Sequence, residues 1–240
     1  PLWKGRALAL VGIVLVAVNL RTAVATMSPI YEQIGQDIVI TAVVIGLLGM
    51  VPPIMFSLAG ILSPRLSRAT GLEWALVIAC LAMVVGPVLR GFANDATMLG
   101  VGTIIALAGA GVGNILIPPA VKKYFPDRIG RMTAVYATIM SIGATLSPLA
   151  AAPATIAIGW RGWLLAWAFI GLACAAPWVA LALAHRRDLR SGDAMVITHT
   201  ALPAPIARSR LAWMLALAHL VPTVSVYAMF AWLPTIMHDV

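Results

Sequence analysis

The chain has 240 residues, 62% of them hydrophobic and only 10% charged, with a formal net charge of +8 and a mean hydropathy of +0.99. A soluble globular domain keeps about a quarter of its residues charged, so that class is excluded. The positive balance does not point to nucleic acid either, because the basic residues lie in clusters between long apolar windows.

A helix crosses a hydrocarbon core of about 30 Å with about 20 residues. Seven windows approach or exceed that length, and in chain order they are 7–30, 41–63, 72–89, 97–121, 133–154, 162–184 and 211–237. The fold class is an all-α polytopic membrane protein. With the N-terminus on side one, thirteen of the sixteen Lys and Arg fall on that side: Lys4, Arg6, Arg65, Arg68, Lys122, Lys123, Arg128, Arg131, Arg186, Arg187, Arg190, Arg208 and Arg210. Arg90 and Arg161 fall opposite, and Arg21 lies inside the first window. The positive-inside rule makes side one the cytoplasm, which implies a multi-pass protein of the inner (plasma) membrane with a cytoplasmic N-terminus.

Connections are short except at 185–210, "HRRDLRSGDAMVITHTALPAPIARSR", which is polar, basic and contains proline. The expected organisation is a six-helix bundle (1–184), a cytoplasmic linker (185–210), and a seventh helix (211–240) that opens a second, incomplete bundle. Six helices plus one suit a twelve-helix protein of repeated six-helix units.

The first helix contains "VNLRTAVATMSPI" (18–30), with Arg21 deep in the window. A charge at that depth is costly and marks function or a polar partner. Three readings stand: outward snorkelling to Glu32, an ion pair with a part of the protein outside this chain, or recognition of an anion by the two parallel donors of the guanidinium. Asn19 either orients Arg21, meets substrate, or packs. In the fourth helix, Gly102, Ala106, Gly109 and Gly113 share a face, a spacing that lets backbones approach closely in lipid. The string "GAGVGN" has no strand before it, so it is not a dinucleotide fingerprint. Asn114 stands where an intramembrane aspartyl protease would need its carboxylate. Cys80 and Cys174 read as small packing residues. Trp160, Trp163 and Trp213, at helix ends, read as interfacial anchors.

In the fifth helix Tyr136, Met140 and Ser147 share one face, and in the seventh His219, Thr223 and Tyr227 form a polar stripe. No lysine follows Lys123, which removes a retinal Schiff base. No His-Glu-x-x-His, no Gly-x-Ser-x-Gly and no intramembrane carboxylate pair supports an enzyme. No cofactor and no metal site is expected.

Four segments carry a resemblance. "GILSPRLSR" (60–68) resembles the loop signature of the major facilitator superfamily between helices two and three. Gly60, Leu62, Arg65 and Arg68 match, while Pro64 replaces an Asp and Ser67 a Gly. "VNLRTAVATMSPI", the segment 113–148, and "YAMFAWLP" (227–234) are similar to the cyanate permease and 2-nitroimidazole exporter branch. The resemblance implies the N-terminal six-helix bundle of a major facilitator fold plus the first helix of the second bundle. It also implies alternating access, a cavity lined by helices one, two, four, five and seven, and a gating role for Gly60, Arg65 and Arg68. On that basis Asn19, Arg21, Asn114, Tyr136 and Tyr227 are candidate substrate-binding residues. The expected function is secondary transport of a small anionic or nitro-bearing solute. The partners are that solute, the bilayer and, as a candidate, a proton or counter-ion. A truncated, non-transporting membrane protein or sensor is the alternative.

Overall fold

The computed structural model describes residues 5–191 together with 209–211, 213–218, 222, 224, 225 and 229. Its elements are α1 (Arg6–Ala25), a 3-10 turn (Ser28–Ile30), α2 (Tyr31–Asp37), α3 (Ala42–Thr70), α4 (Leu72–Gly91), α5 (Ala96–Tyr124) and α6 (Ile129–Ser191). Among the described residues, α1, α4 and α5 and the greater parts of α3 and α6 are long and apolar enough to cross a membrane. The first four apolar windows thus correspond to α1, α3, α4 and α5.

The fifth and sixth windows form one helical run of 63 residues, α6. At 1.5 Å per residue that run is about 95 Å long, roughly three times the hydrocarbon thickness, so it serves as two crossings only if it bends. The bend is at Gly159, where φ is 71° and ψ is 164°, a backbone state that a residue without Cβ enters freely. The second arm continues to Ser191, so the first residues of the expected linker are helical. The remainder of that linker, and most of the seventh window, lie outside the described residues.

Two further boundaries differ from the sequence expectation. The motif segment 60–68 is not a loop. It forms the last turns of α3, which runs through Pro64 to Thr70, and Gly71 (φ 87°) alone makes the turn into α4. A membrane helix tolerates proline because neighbouring groups re-satisfy the carbonyl it frees one turn earlier; in the next turn the Arg68 Nε folds back onto the Pro64 carbonyl at 3.1 Å. The short α2 has no counterpart in the hydropathy windows, since it is seven residues long. Its Ile34, with Ile30 and Ile38, is buried against Leu99, Trp160 and Leu164, so it plugs one end of the bundle.

The main core gathers Ile13, Val16, Leu76, Ile117, Cys174 and Trp178 from α1, α4, α5 and α6. The small-residue stripe of α5 does what its spacing implies. A methyl placed on Gly86 would lie 2.5 Å from Ala106 Cβ, and one on Gly109 would lie 2.6 Å from the Ala79 carbonyl oxygen. Only hydrogen at those positions permits the α4–α5 contact. α3 is the least enclosed helix, with Val43, Leu47, Met50, Ile54, Leu58 and Ile61 exposed.

Candidate functional site

Arg21 and Asn114 are both exposed, on α1 and α5. They are brought to one level by the residues beside them, because a Cβ on Gly113 would sit 3.1 Å from Leu20 Cδ2 and 3.5 Å from Val16 Cγ1. Arg21 continues the open face of α1 that begins with Ala7 and Val11. Arg21 makes no ion pair or hydrogen bond with any described residue, Glu32 included. The snorkelling pair is therefore not formed. What remains, among the described residues, is a guanidinium fork and an amide without partners on adjacent helices, a pair able to donate several hydrogen bonds to a planar anion or nitro group.

Asn19 is on the other side of α1. Residues two positions apart in a helix are separated by about 200° of rotation, so Asn19 and Arg21 cannot share a face. Asn19 is 2% exposed and its amide donates to Cys174 Sγ at 3.7 Å. Its structural position is helix packing, and its thiol partner is one of two free, buried cysteines.

The α6 stripe is also a packing face. Met140 and Ser147 are buried, and Ser147 Oγ hydrogen bonds Thr26 Oγ1 at 2.8 Å. Between them Gly143 lies against the Val18 backbone, with a built Cβ 3.3 Å from its carbonyl oxygen. Tyr136, half-buried at the end of that stripe, packs on the main core. It precedes Gly143 by seven residues, or about 10 Å of helix, so it is set well toward the Lys123 end relative to Val18. Tyr227, His219 and Thr223 lie outside the described residues.

Gly60, Arg65 and Arg68 are exposed at the basic end of α3, Arg65 with no hydrogen bond or ion pair among the described residues. Trp160, expected as an interfacial anchor, is instead buried, and its indole Nε1 donates to Asp37 Oδ2 at 2.9 Å. Arg161 stacks on that indole, 4.4 Å from the ring centroid, and donates to the Ala93 carbonyl at 2.7 Å. Together they tie α2 and the α4–α5 turn to the bend of α6.

Two buried polar centres escaped the sequence reading. Glu73 is 2% exposed, accepts from Tyr124 Oη at 2.7 Å and is paired with the Lys123 ammonium. Arg90, read as a residue beyond its helix, is in the last turn of α4 and is 1% exposed. No periodicity marks either residue, since both stand at window edges where charge is expected to be solvated. Among the described residues no three His, Cys, Asp or Glu side chains gather to hold a metal ion.

Comparison with known proteins agrees with this architecture. The chain is 30% identical over 236 residues to the 2-nitroimidazole transporter of Escherichia coli, covering 98% of this chain and 58% of that protein. It is 26% identical over 230 residues to the uncharacterized transporter YycB of Bacillus subtilis, covering 95% of this chain and 55% of that one. The chain thus spans a little over half the length of these curated relatives. A family sequence profile matches residues 9–240, and with that match the helical bundle is placed: the chain belongs to the Major Facilitator Superfamily.

Proposed function

We propose that the chain forms the N-terminal bundle, with the first helix of the second, of a secondary transporter for a small anionic or nitro-bearing solute, cyanate-like or nitroimidazole-like. The observation that carries this reading is the exposed Arg21, unpaired among the described residues, beside Asn114 on the α1–α5 face. A guanidinium at that depth is retained at a cost, and an anion or nitro group would satisfy it with two parallel hydrogen bonds. The Escherichia coli relative, named a 2-nitroimidazole transporter, supports the nitro-bearing class.

In this reading Arg21 and Asn114 bind the solute, Tyr227 is a further contact, and Tyr136 bounds the path below. Two bundles rock about that midplane site. The end bearing Arg6, Arg65, Arg68 and Lys123 is cytoplasmic by its positive charge, the membrane is the plasma membrane, and Arg65 and Arg68 brace closure on that side. The test is accumulation of a radiolabelled 2-nitroimidazole and of cyanate by cells with and without the full-length protein. Indifference of both solutes to its presence would refute the substrate class.

A further inference from the structure

Among the described residues, Arg90 is a cation without a counter-charge. Its Nε donates to Thr103 Oγ1 at 3.1 Å, but that hydroxyl already donates to the Leu99 carbonyl at 2.7 Å. Thr103 thus orients the guanidinium and neutralises nothing. One terminal nitrogen, Nη2, is buried with no hydrogen-bond partner, and no carboxylate among the described residues pairs with Arg90. Of the described acidic groups at this end, Glu32 is exposed and makes no ion pair with Arg90, and the other two are engaged elsewhere. Asp95 caps α5 by accepting from the Met98 amide at 2.7 Å, and Asp37 accepts from Trp160.

The surroundings are built around this side chain. A Cβ on Gly102 would come within 2.9 Å of Arg90 Cγ, so the glycine makes room for its stem. Tyr31 of α2 packs against the end cluster that contains Leu99, the residue whose carbonyl holds the Thr103 hydroxyl. Burial pushes its phenol above the ordinary value, while the nearby Arg90 charge acts in the other direction. The Tyr31 hydroxyl makes no hydrogen bond with a described residue, so a second donor stands unused close to the first.

A buried, unpaired charge destabilises a fold heavily, whereas one that is paired and hydrogen-bonded does not. We propose that the end of the bundle opposite Lys123 holds one small monovalent anion of halide size, bound between Arg90 Nη2 and the Tyr31 hydroxyl. A single guanidinium matches a single negative charge. A divalent oxyanion would bring more acceptors than these two donors satisfy and a second charge with no partner. The site is on the α4–α5–α2 side and does not rest on Arg21 or on the transport reading.

The test uses the purified full-length protein in sulfate buffer, titrated with sodium bromide at constant ionic strength. Bromide should raise the melting temperature saturably, because an anion held only by the folded state stabilises it by mass action. Arg90→Gln should abolish that rise, and Tyr31→Phe should weaken apparent bromide affinity by roughly tenfold, the loss of one charge-assisted hydrogen bond. No rise in the wild type, or an equal rise in wild type and Arg90→Gln, overturns the site. Should Arg90→Gln fail to fold, anomalous diffraction from wild-type crystals grown in bromide decides it. A bromine peak within hydrogen-bonding range of Arg90 Nη2 upholds the site, and a featureless map there overturns it.

Discussion

Glu73 of α4 and Lys123 of α5 form an ion pair whose side chains are only 3% and 9% exposed, with the Tyr124 hydroxyl as a third member. Removing one partner of such a pair strands the other's charge, at a cost of about 3–5 kcal/mol. Glu73→Gln should therefore lower the melting temperature sharply. The double variant Glu73→Gln/Lys123→Met should recover most of the loss, since a buried pair exchanged for neutral groups is often close to neutral. Thermal melts of the three proteins in detergent measure this, and additive losses would rule out a coupled pair.

Arg21 calls for the reverse expectation. Arg21→Lys keeps the charge and loses the planar fork, so substrate binding should weaken by about 1.5–3 kcal/mol, roughly ten- to hundredfold. Arg21→Ala should weaken it further without loss of thermal stability, because no described side chain depends on Arg21. Calorimetric affinity and melting temperature are read together in the full-length protein. Unchanged affinity with a large fall in melting temperature would mark Arg21 as a structural ion-pair member.

Orientation follows from charge. A reporter enzyme fused within 192–208, or close to Lys122, should report a cytoplasmic position, and tags near Asn94 and Gly159 an external one. An external signal from 192–208 would invalidate the assignment of α6 as two crossings.

Arg65 and Arg68 project from the end of a helix rather than from a loop, so their spacing is held by backbone hydrogen bonds. Replacing both with Gln should slow transport severalfold in the full-length protein while equilibrium affinity stays near wild type, because they are set away from the Arg21 face. Transport at the wild-type rate would show that closure does not use this end of α3.

Hydropathy reveals helices well and faces poorly. The windows located α1, α3, α4 and α5 because apolar length is the signal that a bilayer imposes. They missed α2, which buries three isoleucines in seven residues of amphipathic helix and its flanks and never spans anything. The small residues of α5 were legible as a packing stripe because their spacing is itself the mechanism of close approach. Asn19 was not separable from Arg21 by composition, yet a rotation of two residues sends one inward to Cys174 and leaves the other open. Arg90 and Glu73 were invisible for a different reason. Their burial comes from partners distant in sequence (Thr103, Tyr31, Lys123, Tyr124), and a single chain read in order does not display those neighbours.

The bond from Asn19 to Cys174 closes a separation of 155 residues, and Thr26 meets Ser147 across 121. α1 is synthesised well before both arms of α6, against which it packs. At about 5–20 residues per second, roughly 8–30 s pass between synthesis of Asn19 and that of Cys174. Throughout that interval the Asn19 amide lacks its buried partner, Cys174. Until α6 arrives that amide must be sheltered by the insertion machinery or by lipid headgroups, which makes α1 a vulnerable element in the biogenesis of this bundle.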